Sequence, residues 1–416
     1  ERIAGRAVVP IIPAHLHGLW GSLASRAPRR CWNPFRRIHL RLGSALSSET
    51  RAPQAREQVM SLSYEAAQQR SDRDGRSLGT ALIRQAKRSP RAIAVQDANG
   101  TISRIQLVAV AKLLWQRLDI ADDEACVGIL LPPGRGGAIV NAACAIAGRT
   151  AVNLNHTVGT QTLQQLCEIA GLRTIITAEA YLKRIGRPEV GCRIVTIEDQ
   201  LKALSKVSIV ATMATTLATP TRWQSQRDPD AVAAIIFSSG STGAPKGVEL
   251  THRQVLANCD AVADALHLEH DVIISPLPLF HSFGLVPGLW LGLVLGLKVA
   301  GQPDPMDGKA LGKLAEASGA TFLLSTPTFV RGYLRRIEPE QFKTLRFAVV
   351  GAERCDADLK AAFAERYGAD LLEGYGCTEL CPVVAVNLPE VRRDGEHEIR
   401  AKHGSVGRAL PGIQLI

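Results

Sequence analysis

The 416 residues carry nine cysteines but no Cys-x-x-Cys pair, which argues against both a disulfide framework and a zinc knuckle. A reducing compartment is expected. Long apolar runs are also missing. The longest covers residues 283–297, interrupted by Gly and Pro and closed by Lys298, and it falls short of the roughly 20 residues that span a bilayer. A buried helix is expected there instead. The chain opens at Glu1 with neither an initiator Met nor a signal peptide, and a piece of a longer polypeptide is expected.

What is present points to a large α/β protein. The length suggests two to three domains, and 46% hydrophobic residues can bury sizeable cores. The net charge is +10, and the first hundred residues alone hold 17 basic and 7 acidic side chains, so the whole excess lies there. A basic segment of this kind meets nucleic acid or an anionic membrane surface. No RNA-binding signature or aromatic-basic stacking pattern accompanies it, so an anionic membrane surface is the expected partner and nucleic acid is not.

The most informative stretch is 235–247, IIFSSGSTGAPKG. Residues 231–237 read as a short buried strand that breaks at once into turn residues. Gly240 and Gly243 allow positive φ and close approach to a ligand. Ser238, Ser239, Ser241 and Thr242 supply hydroxyls that alternate with backbone N–H groups, a cradle for anionic oxygen. Pro245 stiffens the exit and Lys246 adds a positive charge, so the natural guest is a polyphosphate. This is not a Walker A loop, because the fifth residue after Gly240 is Pro245 and Lys246 is followed by Gly247.

The order of these residues resembles the phosphate-binding signature of the adenylate-forming superfamily, which includes acyl-CoA synthetases, acyl-carrier-protein synthetases and luciferases. A second signature stands about 130 residues downstream. Residues 347–350 read as a strand, followed by Gly351, Ala352 and Glu353, a helix ending at Gly368, and a strand at 369–372: a βαβ unit, whose strand ends gather ligands. Gly351, Ala352 and Glu353 resemble the family's adenine-contacting turn. The next residues, EGYGCTE at 373–379, resemble its second motif. The resemblance implies that Gly374, Tyr375 and Gly376 hold adenine with the Tyr375 ring stacked on it, that Thr378 bonds the α-phosphate, and that Glu379 holds Mg²⁺. A hard carboxylate oxygen suits a hard cation. The spacing of Cys377 and Cys381 lacks the partners for a metal site.

The remaining chain alternates helix and strand as parallel sheets require. Ser103 caps a helix to Leu118 with Gln106 as box partner. Strands are expected at 127–131, 150–154, 174–176 and 194–197, with helices at 138–147 and from Thr160 to Gly171. Residues 203–226 read as a surface loop. Residues 147–155, AGRTAVNLN, also resemble the family. Thr251 caps a further helix with Gln254. In PLPLFHSFGL, 276–285, a lone His fits a structural role equally well, but the resemblance places His281 beside the substrate carboxylate. The following helix, GLVPGLWLGLVLG, reads either as the lining of an apolar tunnel or as ordinary core.

Ahead of this, residues 7–12 read as a strand. With 15–25 (HLHGLWGSLAS), Arg29, Arg30, Trp32 and a strand at 38–42, they resemble the end of a glycerophospholipid acyltransferase domain, in the form fused ahead of an acyl-acyl-carrier-protein synthetase in bacterial bifunctional enzymes. That domain acts through a His with an Asp five residues later, and no His here has one. His15 and His17 lack the companions of a metal site. Residues 47–74 read as a polar, helix-prone stretch.

The expectation is an α/β chain with an acyltransferase remnant at 1–70, a linker at 71–77, and at 78–416 an adenylate-forming large domain of parallel and mixed sheets flanked by helices. The resemblance implies that ATP and Mg²⁺ activate a long-chain fatty acid to its adenylate, and that the acyl group passes to acyl-carrier protein on the cytoplasmic face of a bacterial inner membrane. A fatty acyl-CoA ligase and a non-catalytic docking module are the alternatives. Residues 404–416 look like the start of the family's last large-domain subdomain. The ribose-binding Asp, the hinge and the small domain with the adenylation Lys are absent, so poor turnover by this chain alone is expected.

Overall fold

A computed structural model of the chain describes residues 7–19, 22, 38–221, 224–225, 228–239, 245–389, 391–393, 396–398, 401–402 and 404–414. The chain divides into two compact units, one of Glu1–Asp74, Ala263–Glu269 and Ala409–Ile416, the other of Gly75–Val262 and His270–Arg408.

In the first unit, β1 (Ala14–His17) pairs antiparallel with β2 (His39–Leu42), and a helix runs over Ala52–Arg73. The strand expected at 7–12 does not form: only an isolated bridge joins Ile11 to Leu46. Pro10 and Pro13 flank it, and neither has an N–H to give to a ladder. Arg29, Arg30 and Trp32 lie outside the described residues.

Among the described residues the second unit holds two large sheets and a short antiparallel pair, Val391–Arg393 with Glu396–Glu398. Its strands are β3 (Ile93–Asp97), β4 (Gly100–Ser103), β5 (Cys126–Leu130), β6 (Thr150–Asn153), β7 (Thr174–Thr177), β8 (Arg193–Thr196), β9 (Val232–Ser239), β10 (Pro245–Thr251), β11 (Val272–Ser275), β12 (Lys298–Gly301), β13 (Phe322–Ser325), β14 (Phe347–Val350), β15 (Asp370–Gly376) and β16 (Val383–Val386). One sheet has the order β10-β9-β6-β5-β7-β8, with only the β9–β10 pair antiparallel. In the other, β15, β14, β13, β11, β12 and β3 lie side by side and parallel, with antiparallel neighbours β16 and β4 at the two ends of that run. Their four-residue apolar strands, such as FAVV and FLLS, are buried throughout, as befits strands covered on both faces. The fold is α/β with parallel and mixed sheets flanked by helices.

Local signals place the helices. Ser103 Oγ accepts from Gln106 N–H at 3.4 Å while Gln106 Oε1 accepts from Ser103 N–H at 3.0 Å, and Thr251 and Gln254 form the same reciprocal pair. The stretch 203–226 is not a loop: a helix spans Lys206–Ala218, capped by Ser205. Its Val207 and Val210 are 78% and 62% exposed, which is why no apolar stripe announced it. It is anchored instead by a polar contact, Lys112 Nζ to the buried Thr216 hydroxyl at 3.1 Å.

The apolar segment after His281 is helical over Ser282–Leu285, a wider π-type turn at Val286–Trp290, and Leu291–Leu295. Pro287, without an N–H to offer, falls in the widened turn. Its glycines do not leave room for a tunnel. A Cβ on Gly284 would meet the Pro278 carbonyl at 2.1 Å, and one on Gly292 would meet Val299 at 2.3 Å, so the first is filled by the segment after β11 and the second by β12.

Candidate active site

The carboxyl ends of β14 and β15 open side by side, because these parallel strands are in register from Phe347↔Asp370 to Val350↔Glu373. Beyond β14 the chain turns through Gly351 and Ala352, the latter at φ 68°, a left-handed conformation uncommon for alanine. Glu353 is then held in place by accepting from the Thr328 N–H and hydroxyl at 3.2 and 2.6 Å.

Ala352, Glu353, Gly374, Tyr375 and Gly376 line one cavity of about 640 Å³. Its far wall comes from Gly404, Ser405 and Val406. Asn387 ties that wall down, donating to the Ser405 carbonyl at 2.7 Å and accepting from Lys402 N–H at 2.9 Å. Tyr375 is 54% exposed within the cavity wall, a large aromatic face available for stacking. Gly376 has no alternative, since a Cβ there would stand 1.9 Å from the Pro382 carbonyl.

Sequence reasoning missed the ionic floor of this cavity. Glu373 is 8% exposed. It pairs with Lys360 at 2.9 Å and accepts from Cys355 N–H at 3.3 Å. Lys360 sits on the helix Ala357–Tyr367 that crosses between β14 and β15; its only sequence signal was one lysine on a helix, with nothing to mark its partner. Burial pushes the Cys355 thiol up to about 11, so it stays protonated. Asp356, at the same rim, is held below the usual carboxylate range chiefly by its hydrogen bond from Arg331.

Past Gly376 a single 3₁₀ turn, Thr378–Leu380, follows. Thr378 Oγ1 lies 3.3 Å from Ser282 Oγ, which brings the second signature against the PLPLFHSFGL segment. His281, immediately before, is exposed, in extended conformation at the start of its helix. Desolvation nevertheless pulls its pKa below the ordinary histidine value, so its imidazole is neutral near pH 7.

The phosphate-loop residues are placed in part. β9 and β10 form an antiparallel pair in which Lys246 stands opposite Ser238 and Pro245 opposite Ser239, so the loop is pinned at both ends. Gly240, Ser241, Thr242 and Gly243, and the Ser239 side chain, lie outside the described residues. β10 packs against the Thr378–Leu380 turn, and Asn258, on the helix after β10, donates to the Val383 carbonyl at 2.8 Å. Lys246 and Glu379 are both exposed, and among the described residues neither forms an ion pair.

No group of three His, Cys, Asp or Glu side chains that could hold a metal by themselves occurs among the described residues. A lone exposed carboxylate such as Glu379 does suit Mg²⁺, which takes one or two carboxylates and fills its remaining positions with phosphate oxygens and water.

The family described as AMP-binding enzyme matches residues 82–416. Among curated proteins, the medium-chain-fatty-acid–CoA ligase of Ectopseudomonas oleovorans is 29% identical over 200 residues, 45% of this chain and 36% of that one. The long-chain-fatty-acid–CoA ligase of Salmonella typhimurium is 30% identical over 189 residues, 44% of this chain and 32% of that protein. The chain thus aligns with less than half the length of these relatives. Among solved structures, the anthranilate CoA ligase AuaEII in complex with anthranoyl-AMP superposes with a TM-score of 0.66 at 21% identity, covering 82% of this chain and 65% of the other. The N-terminal domain of FACL13 from Mycobacterium tuberculosis gives 0.62 at 19% identity, covering 80% and 82%.

Proposed function

This chain belongs to the AMP-binding enzyme family, and from that premise we propose that its site serves to join a carboxylic acid to the α-phosphate of ATP, releasing pyrophosphate, and to hand the acyl group to a thiol. The observation that carries this reading is the meeting of the two sequence signatures at one place. β10, which carries the end of the first, packs against the Thr378–Leu380 turn of the second, and Thr378 lies 3.3 Å from Ser282, the neighbour of His281.

Each residue then has a physical task. Tyr375 offers its exposed ring to adenine, with Ala352, Glu353, Gly374 and Gly376 lining the cavity around it and Gly351 leading into the turn. Ser238, Ser239, Gly240, Ser241, Thr242, Gly243 and Lys246 take the β and γ phosphates. Thr378 donates to the α-phosphate as charge develops there. His281, kept neutral by its surroundings, sits where the acid's carboxylate must approach Thr378. Glu379 would hold Mg²⁺, which when bound supplies charge neutralisation to the phosphates. No covalent enzyme nucleophile is needed.

The named relatives are fatty acid–CoA ligases, which supports a fatty acid as substrate and the thiol of CoA as acceptor. Acyl-carrier protein is the second acceptor to test, on the resemblance of residues 1–70 to the end of an acyltransferase domain, with 71–77 as linker to the 78–416 adenylating part. An anionic membrane surface is the proposed partner of the first unit. There β1 and β2 put Leu16, Leu40 and Leu42 on one face, 47%, 63% and 61% exposed. His17 and Arg41, on the opposite face, pair with Asp264 and Glu65. The connection between the two strands carries five arginines and no carboxylate, the composition that anionic headgroups attract. Among the described residues no helix is long and apolar enough to cross a membrane, so the contact would be peripheral.

The deciding experiment is acid-dependent exchange of labelled pyrophosphate into ATP by the full-length protein, with fatty acids from C6 to C18 and with Lys246→Ala and Glu379→Ala as controls. Exchange with fatty acids that collapses in both variants is the expected result; CoA and carrier protein are then compared as acceptors. Absence of exchange with every acid, alongside intact binding to anionic vesicles, would replace this reading with a docking module.

A further inference from the structure

Three residues beyond β6 stands a histidine that neither signature includes. His156 follows a strand end that is locked in place: Asn153 and Asn141 exchange side-chain amide hydrogen bonds at 3.0 and 3.2 Å, and both are buried. Asn155 Oδ1 accepts from the N–H and hydroxyl of Thr157 at 2.9 and 2.7 Å, a turn that aims the intervening residue. The His156 Nδ1 lies 2.8 Å from the Tyr181 hydroxyl. Tyr181 is itself 7% exposed, so the imidazole is keyed to a fixed point.

The other side of this ring faces the proposed acid site. His156 meets Phe280 edge to face, centroids 5.7 Å apart at 74°. Phe280, 9% exposed, packs on His281 at 4.7 Å. Tyr181, His156, Phe280 and His281 therefore form one unbroken series of ring contacts, running from the sheet that contains β6 to the helix start beside Thr378. A plain core contact would not need a half-buried imidazole held at one nitrogen by a buried phenol. Nε2 makes no hydrogen bond among the described residues.

We propose that His156 is a positioning residue for the acid substrate: keyed by Tyr181, it braces Phe280 and through it sets the placement of the His281 imidazole. The inference rests on the reading of His281 given above, and it extends that reading from the signature residue to what holds it. Edge-to-face pairing also implies that another flat ring at this position can substitute in part, whereas a methyl cannot.

The test is pyrophosphate exchange by the full-length protein with the fatty acid that supports the highest rate, together with ¹⁵N imidazole spectra. In His156→Ala, the KM for the acid is expected to rise about fivefold, the scale of one lost aromatic pair, while kcat and the KM for ATP stay within about twofold. His156→Phe should recover most of the loss, and Tyr181→Phe should show a smaller rise of about twofold. The His281 ring resonances should move in His156→Ala and return in His156→Phe. Unchanged His281 resonances, or a fall in kcat alone with the KM for the acid unaltered, would overturn the proposal while leaving the adenylation reading intact. No exchange by the unaltered full-length protein would overturn both.

Discussion

The hydroxyls of Ser282 and Thr378 stand 3.3 Å apart across 96 residues of sequence. One belongs to the turn that follows β11, the other to the turn that follows β15, and the parallel order of the sheet delivers both to the same edge. On the proposed reading, this contact sets the residue for the α-phosphate beside the segment that receives the acid.

Replacing Thr378 by Val keeps the shape and removes the donor. Exchange is expected to fall about 100-fold, the scale of losing one preorganised donor to developing charge. Ser282→Ala should lose only about threefold, since Ser282 acts by orienting the other hydroxyl. The double variant should be no slower than Thr378→Val alone, a non-additivity that steady-state rates on the four proteins read directly.

Tyr375 separates binding from folding. Because its ring is 54% exposed, Tyr375→Ala should leave the melting temperature within about 2 °C. Losing the stacking face should raise the KM for ATP about tenfold. Calorimetric melting and ATP titration of the exchange rate check the two halves.

The Lys360–Glu373 pair has side chains only 14% and 10% exposed. Lys360→Met strands the Glu373 carboxylate, and unfolding by urea should show a loss of about 3 kcal/mol. Adding Glu373→Gln removes the stranded charge and should recover most of it. Equal losses in the single and double variants would mean that the pair contributes nothing beyond packing.

Stability should be flat between roughly pH 6.5 and 9 and fall on both sides. Burial pushes the thiols of Cys144, Cys167 and Cys381 up to about 12 from an ordinary value of 9.0. Above pH 9 the unfolded chain releases these protons while the folded chain keeps them, so each thiol favours unfolding by about 1.4 kcal/mol per pH unit until its folded value is reached. On the acid side, His156 and His281 are pulled below 6.5 by desolvation. The unfolded chain then takes up protons that the folded chain refuses, and stability falls as the pH drops below 6.5. Urea midpoints from pH 5 to 11 trace the profile.

Much of this was legible in the order of residues. The strand before the phosphate loop, the capped helix after Thr251 and the βαβ unit around β14 and β15 are short-range features, written in continuous apolar runs, cap pairs and Gly punctuation. The helix Lys206–Ala218 was not, because it turns most of its apolar residues to solvent and is held by Thr216 and Lys112. The glycines after His281 fitted a tunnel or a core equally and proved to be points of close contact, since only the folded chain reveals what a Cβ would strike. Glu373 looked like one more charge in a motif until Lys360 appeared beside it.

The sequence by itself determined the chemistry on offer: a hydroxyl- and glycine-rich loop ending in Lys246, an aromatic ring at Tyr375, a hydroxyl at Thr378 and a carboxylate at Glu379. These follow from residue type and local spacing, which need no knowledge of the fold. Only the tertiary structure decided which distant groups meet. Ser282 reaches Thr378, Lys360 reaches Glu373, and Tyr181 reaches His281 through His156 and Phe280, because parallel strands joined by crossover helices bring chain ends together whatever their separation in sequence.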